Sequence, residues 1–192
     1  MIRTGDTIEN PVTGERVTFL KTAKDTGGEM VLIDTTVAPG GFVAAEHIHP
    51  YQSERFEVLS GEVEFKLGKE IVVAKAGDVV MVEPGTPHRF RNLSDKEEIR
   101  FRTVVRPALS FETFLQTMYG LASDGKTNNK GLPNPFRLAV IMKEQFDLVR
   151  LPFPPPWVQR MGLALGAPLG QLLGYEPVYA SAEEPERLDE AA

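Results

Sequence analysis

The three histidines of this chain and one nearby glutamate fall at a spacing that restricts how the chain can fold. His47 and His49 are two residues apart, and side chains alternate between the faces of a strand, so both imidazoles would point to one side. After a short connection Glu54 opens an alternating stretch that a hairpin could bring beside them. His88 begins another alternating run. We expect a fold that gathers these side chains around one metal ion.

This donor set predicts which metals the site can hold. Three imidazoles and one carboxylate suit a divalent transition metal, namely Fe, Mn, Ni, Cu, Co or Zn, whereas Ca and Mg prefer oxygen ligands. The chain has no cysteine, which excludes disulfides, thiolate sites and Fe–S clusters. The sequence leaves the identity of the metal open. It also leaves open a purely structural ion, because open coordination positions cannot be read from sequence.

Two stretches resemble the signature motifs of the cupin superfamily. Residues 41–61 fit every fixed position of the motif G-x5-H-x-H-x4-E-x6-G. Residues 77–92 fit the motif G-x5-P-x-G-x2-H-x3-N, except that Glu83 stands where the first proline is expected. Pro84 follows immediately, so the departure concerns only the local turn. The resemblance covers about residues 28–106.

The resemblance implies a mostly β protein built on a double-stranded β-helix, the jelly-roll barrel of cupins, with an N-terminal hairpin extension and C-terminal helices. It also implies that the metal ligands are His47, His49, Glu54 and His88. The alternating runs favour short antiparallel strands, each with one apolar face toward the barrel interior. From these faces we predict a small apolar substrate pocket lined by Phe56, Phe65, Met81, Phe90 and Phe101.

Composition excludes several other classes of protein. With 192 residues, 42% hydrophobic and 25% charged, the chain can bury a core without disulfides. Its formal charge of −6 disfavours nucleic-acid binding, which needs clustered Lys and Arg. The amino-terminal residues have no apolar segment typical of a secretory signal, so we expect a cytoplasmic location. We interpret the best basic cluster as a solvated strand face: Arg89, Arg91, Arg100, Arg102 and Arg106.

Three segments lie outside the predicted barrel. Residues 1–27 predict a strand extension with a hairpin, and residues 107–180 predict a helical extension that packs on the barrel or on a partner. Residues 181–192 predict an acidic, disordered tail. Within the helical extension, apolar spacing and turn residues predict two helices, near 110–124 and 135–148, followed by a third apolar segment at 158–173 that Gly162, Gly166 and Pro168 interrupt.

An uncharged apolar stretch at 161–175 overlaps this third segment. It is shorter than the roughly 20 residues that cross a bilayer, so we predict no membrane span. Exposed strand edges and this apolar stretch need cover. Together with the resemblance to cupins, they predict a homodimer.

The resemblance also suggests a reaction class. An intact set of three histidines and one glutamate is similar to that of metal-dependent dioxygenases such as quercetinase-like enzymes. We predict a dioxygenase-like oxidoreductase for a small apolar or aromatic substrate, with Glu54 as the fourth ligand or as a general base. An oxalate-type enzyme ranks lower, because the sequence places no Arg or Lys beside the metal.

Two alternatives come from other classes of function. A metal-dependent isomerase or lyase would need a second acid or base, for which Tyr51, Glu46 and Glu83 are the nearby candidates. A non-catalytic cupin that binds a small molecule would keep the fold and the metal without turnover. The fold alone does not decide between these functions, because one fold hosts many activities.

Overall fold

A computed structural model of the chain describes residues 2–181 and 186–187. The strands are β1 (Asp6–Asn10), β2 (Glu15–Lys21), β3 (Val31–Val37), β4 (Ser53–Ser60), β5 (Glu62–Leu67), β6 (Glu70–Lys75), β7 (Val79–Val82), β8 (His88–Asn92), β9 (Ile99–Arg106) and β10 (Glu186–Arg187). They form a seven-stranded sheet in the order β10-β1-β2-β3-β9-β4-β7 and a three-stranded sheet in the order β6-β5-β8. All pairings are antiparallel.

Aromatic side chains from both sheets meet in the barrel core. Phe56 and Phe101 come from the larger sheet, and Phe65 and Phe90 come from the smaller one. Their ring centroids lie 5.0–6.4 Å apart in tilted and edge-to-face pairs, which are favourable aromatic geometries. The predicted fold class is confirmed: the chain is a mostly β, double-stranded β-helix barrel with an N-terminal hairpin and C-terminal helices.

One strand of the barrel faces the opposite way from the prediction. On β7, Val80 and Val82 are buried, whereas Val79 and Met81 are exposed. The register explains this, because Val80 pairs with Phe56, whose side chain points inward. The four residues of β7 are all apolar, so alternation of polarity gives no signal for the face of this strand.

The N-terminal hairpin continues the larger sheet. Strand β2 pairs with β3 over almost its full length, and Val17 and Phe19 on β2 are buried in a second core. This core lies between the sheet and the C-terminal helices and includes Leu121 and Ile141. Residues 182–185 and 188–192, which make up most of the predicted disordered tail, lie outside the described residues.

Three helices follow the barrel: α1 (Phe111–Ser123), α2 (Pro135–Glu144) and α3 (Pro156–Leu172). Asn134 caps α2 by accepting a hydrogen bond of 3.0 Å from the backbone nitrogen of Arg137. Ser110 precedes α1, but its hydroxyl donates to Gln145 at 2.6 Å and does not cap the helix. None of the helices among the described residues is long and apolar enough to cross a membrane.

Helices α2 and α3 pack closely because α3 carries glycines on the contact face. A Cβ on Gly170 would lie 2.4 Å from the carbonyl oxygen of Phe136, and a Cβ on Gly166 would lie 3.0 Å from Cβ of Ala139. Only glycine permits the first of these approaches. Through this contact α3 is held over α2 at the open side of the barrel.

Candidate metal centre

The four predicted ligands come from three neighbouring segments of the barrel. His47 and His49 lie in the extended segment before β4, Glu54 lies near the start of β4, and His88 is the first residue of β8. The backbones of His47 and His88 form a reciprocal pair of hydrogen bonds of 2.9 and 3.0 Å. The two-residue spacing of His47 and His49 therefore places both imidazoles on one side, as the sequence predicts.

A hydrogen bond to a backbone carbonyl orients each histidine. Nδ1 of His47 bonds to Ala45, Nδ1 of His49 bonds to Leu148, and Nδ1 of His88 bonds to Thr86, at distances of 2.7–2.9 Å. A carbonyl oxygen can only accept, so each Nδ1 carries the proton. In the neutral imidazoles this leaves each Nε2 with a free lone pair, which is the arrangement of metal-binding histidines.

The carboxylate of Glu54 completes the cluster. Its Oε2 lies 2.7 Å from Nε2 of His88 and 3.9 Å from Nε2 of His49. Oε2 and the His88 Nε2 are both buried, and neither has a hydrogen bond of acceptable geometry to another described atom. One ligand atom from each of the four residues lies within 4.8 Å of the others. Acceptor atoms converging in a buried space fit a shared cation.

The electrostatics favour the protonation states that metal ligands need. Burial, together with the neighbouring His88 and His49, lowers the pKa of His47 to about 3. Burial acts to raise the pKa of Glu54, but the three histidines outweigh it and hold that pKa below its ordinary value. His47 is therefore neutral and Glu54 is ionised at neutral pH, the forms that coordinate metal.

His88 responds to the same carboxylate in the opposite sense. Burial acts to lower the pKa of His88, but contact with the charged Glu54 outweighs it and raises that pKa. Without a cation, a proton held between His88 and Glu54 would satisfy both groups. A divalent ion would take the place of that proton.

A cavity of about 710 Å³ opens above the cluster. Its floor is formed by the larger sheet and by the metal-ligand residues, and its walls are formed by α1, α2, α3 and the segment between α2 and α3. Most of the lining side chains are apolar, among them Phe111, Met118, Leu132 and Leu163. A cavity of this size suits a small-molecule ligand.

The structure brings three of the five predicted pocket residues to the cavity wall. Phe56, Phe90 and Phe101 line the cavity. Phe65 is fully buried behind them and belongs to the core, with its ring centroid 5.0 Å from that of Phe56. Met81 is 48% exposed on the outer face of β7, so its predicted place in the pocket is wrong.

The acid–base candidates from the sequence do not line this cavity. Tyr51 is 63% exposed, and Glu83 lies exposed at the end of β7. Glu46 forms an ion pair of 2.6 Å with Lys66. The described lining includes none of the three.

Several polar residues that were not predicted from the sequence line the cavity, among them Glu15, Tyr119 and Arg150. Glu15 carried a usable signal, because it shares strand parity with the apolar Val17 and Phe19. The sequence carried no such signal for Arg150, because this residue reaches the site only through a backbone pairing with Ile48, about a hundred residues earlier in the chain. It places a cationic side chain in the cavity wall, which the sequence did not predict.

Comparisons with known proteins agree with this architecture. The family model of the cupin domain matches residues 33–105, which include all four ligands. The chain belongs to the cupin superfamily.

Individual relatives of this cupin carry oxidoreductase names. "Probable oxidoreductase virH" of Hypocrea virens is 34% identical over 149 residues, covering 70% of this chain, and the chain spans 65% of that protein's length. An oxidoreductase of Arthrobotrys oligospora is 24% identical, over 89% of this chain and 76% of that protein. Among solved structures, an RmlC-like cupin from Shewanella frigidimarina is 20% identical, over 58% of this chain and 93% of that one, with a TM-score of 0.48.

Proposed function

We propose that this cupin is a metal-dependent oxidoreductase, dioxygenase-like, that acts on a small apolar or aromatic substrate. One observation carries the proposal: three oriented Nε2 lone pairs and the Glu54 carboxylate converge at the floor of a largely apolar cavity. His47, His49, Glu54 and His88 would hold one divalent Fe, Mn, Ni, Cu, Co or Zn ion. A redox-active ion bound there would supply the activation of dioxygen or of substrate.

The protein residues have separable tasks in this proposal. The carbonyl groups of Ala45, Leu148 and Thr86 keep the histidines in the orientation that binds metal. Glu54 is the fourth ligand or, as a general base, accepts a proton from the substrate. Its lowered pKa keeps it ionised, which suits a metal ligand better than a general base.

The cavity supports a hydrophobic substrate. Phe56, Phe90 and Phe101 form part of the wall next to the ligands and would exclude water from the bound molecule. Arg150 adds a positive charge that would favour a substrate able to carry negative charge on oxygen, such as a phenol. The oxidoreductase names of the two curated relatives point to the same reaction class.

Arg150 is also the observation that favours a second candidate. A cation in the wall would bind the carboxylate of a small acid, as an oxalate-type enzyme requires. The extended apolar lining favours the aromatic substrate. The isomerase or lyase reading is weaker, because its candidate bases lie outside the cavity. A non-catalytic binding cupin would show bound metal without turnover.

The assembly and location of the protein also belong to this proposal. Trp157, Leu165 and Leu172 on α3 are exposed, and an apolar face of this kind would be covered in a homodimer. Arg91 and Arg100 pair with the carboxylates of Glu64 and Asp34, which weakens the basic cluster as a nucleic-acid surface. We propose a cytoplasmic homodimer without nucleic-acid partners.

The proposal is tested by metal content and oxygen uptake. Elemental analysis of the purified protein is expected to give close to one transition metal per chain, and His49→Ala is expected to lose it. Oxygen consumption is then followed with phenols and diketones, and with oxalate as the competing substrate. Bound metal with no oxygen uptake on any compound would favour the binding or isomerase function, and a folded protein that takes up no metal would contradict the proposal.

A further inference from the structure

The cavity has a second polar region, remote from the metal ligands. Asn10 ends β1, Glu15 begins β2 and Tyr119 lies on α1, and all three line the cavity. Each is more than nine-tenths buried. We refer to Asn10, Glu15 and Tyr119 as the distal polar cluster.

The distal polar cluster keeps unused hydrogen-bonding capacity. The side-chain oxygen of Asn10 accepts from the backbone nitrogens of Val12 and Thr13, at 3.1 and 3.2 Å. Its amide nitrogen, Nδ2, forms no hydrogen bond with another described residue, so its N–H groups are available to a ligand in the cavity that Asn10 lines. A ligand oxygen in the cavity would satisfy them.

Glu15 adds a group that can both donate and accept. Its Oε2 accepts a hydrogen bond of 2.7 Å from the hydroxyl of Thr13, and Tyr119 also bonds to its carboxyl group. Burial raises the pKa of Glu15 to about 7, although these two hydrogen bonds oppose the rise. A carboxyl group that is protonated in part at neutral pH matches a hydroxyl or carbonyl group better than it matches an anion.

The position of the distal polar cluster determines how long a ligand must be to contact both this cluster and the candidate metal ligands. Strands β3 and β9 lie between β2, which carries Glu15, and β4, which carries Glu54. Three strand spacings correspond to at least about 14 Å along the sheet. The floor between is mainly apolar and includes one unpartnered buried hydroxyl, that of Thr103. A single-ring phenol is shorter than this path along the sheet.

We propose that the cavity binds an elongated, neutral aromatic compound, with one oxygen-bearing end at the metal ligands and a hydroxyl or carbonyl group at its far end held by Asn10 and Glu15. The inference rests on the proposed function in taking the metal cluster as the reacting end. Tyr119 is a positioning residue, because it acts through its hydrogen bond to Glu15. The distal polar cluster then selects substrates by length and by the polarity of the far end.

A matched pair of fluorescent probes tests the inference. Para,para′-dihydroxystilbene and para-hydroxystilbene differ only in the second terminal hydroxyl group, and their binding is followed by fluorescence titration of the full chain. The dihydroxy compound is expected to bind about tenfold more tightly, the ratio that corresponds to one net hydrogen bond. Equal affinity of the intact protein for the two probes would overturn the inference.

Variants of the distal polar cluster locate the effect. Glu15→Leu is expected to reduce the ratio of affinities to about one, whereas Glu15→Gln, which is neutral and of the same shape, is expected to keep most of it. Asn10→Asp preserves the acceptor for the two backbone nitrogens and replaces the Nδ2 donors with a carboxylate oxygen, so it tests the same site if Glu15→Leu does not fold. A ratio unchanged in both Glu15→Leu and Asn10→Asp would overturn the inference. Met81→Ala, outside the cavity, is the control and is expected to keep the ratio of the intact protein.

The same titrations separate this inference from the proposed function. They are carried out on metal-loaded protein and on protein stripped by a chelator. If no oxygen uptake is found but the variants lose the tenfold ratio, the oxidoreductase proposal fails and the distal subsite stands. If oxygen is consumed but the intact protein does not discriminate between the probes, the inference fails and the oxidoreductase proposal stands.

Discussion

The backbone carbonyl of Leu148 accepts a hydrogen bond of 2.7 Å from Nδ1 of His49. These residues are 99 positions apart, and the contact joins the segment after α2 to a candidate metal ligand of the barrel. Next to it, the backbones of Ile48 and Arg150 form a reciprocal pair of hydrogen bonds of 2.8 and 3.0 Å. The helical extension therefore takes part in orienting the candidate ligands, in addition to covering the cavity.

Glu54→Gln is expected to weaken metal binding while keeping the metal-free fold. The amide retains the shape of the side chain and can donate to Nε2 of His88, which lies 2.7 Å from the present oxygen, but it removes the negative charge. We expect at least about a tenfold loss of metal affinity, measured by competition with a chelator. Glu57→Gln on the outer face of β4 is the control and should retain the metal. Unchanged affinity in Glu54→Gln would remove Glu54 from the ligand set.

Phe65→Ala and Met81→Ala are expected to differ strongly in stability. Phe65 is fully buried among the aromatic rings of the core, so its truncation should cost about 3–5 kcal/mol of unfolding free energy. Met81 is about half exposed, and its truncation should change stability by less than about 0.5 kcal/mol. Urea unfolding followed by circular dichroism measures both values. Similar losses for the two variants would contradict the outward orientation of Met81.

Features of the site that depend on nearby residues could be predicted from the sequence, whereas features that depend on distant contacts could not. The clustering of His47, His49 and Glu54 could be predicted because the two-residue period and the hairpin spacing act within one short segment, and His88 was added by the resemblance to the cupin motifs. Which side of β7 Met81 faces could not be predicted, because every residue of this strand is apolar. Glu15 lies on the apolar face of β2, but whether a buried carboxyl meets a cavity depends on α1, which is folded against it from more than ninety residues away. Arg150 depends on an equally distant pairing.

The buried carboxyl of Glu15 predicts a specific pH dependence of stability. Its pKa is raised by burial from 4.5 to about 7 in the folded chain, so between these pH values the folded state holds a proton that the unfolded state has released. Folding stability attributable to Glu15 is therefore complete below pH 4.5 and falls as the pH rises toward about 7. Above about pH 7 the loss of folding stability caused by Glu15 stays constant, at roughly 3 kcal/mol.

Comparison of the intact protein with Glu15→Gln isolates this contribution, because other titrating groups are common to both. We expect the stability of Glu15→Gln relative to the intact protein to increase from pH 4.5 to pH 8 by up to roughly 3 kcal/mol. Urea unfolding at several pH values, with metal removed, measures the difference. A difference that stays constant over this range would show that Glu15 titrates normally in the folded protein.

The close contact of α2 with α3 predicts opposite effects for two glycine substitutions in one helix. A Cβ at position 170 would lie 2.4 Å from the carbonyl oxygen of Phe136 and 2.6 Å from Val140, so Gly170→Ala must displace α3. We expect a loss of about 1–3 kcal/mol in unfolding free energy. A Cβ on Gly162 would meet no atom within 4 Å, and Gly162→Ala should be neutral or stabilising by up to about 1 kcal/mol, because alanine favours the helix.

Only Gly170→Ala is expected to lose both stability and affinity for the stilbene probes. Because α3 lines the cavity, its displacement in Gly170→Ala is expected to weaken binding of the stilbene probes strongly. Gly162 also lines the cavity, but Gly162→Ala leaves α3 in place and is expected to weaken binding less. Parallel urea unfolding and fluorescence titration of the two variants measure both properties. Weakened stability with unchanged probe binding in Gly170→Ala would mean that the cavity does not depend on how α3 packs against α2.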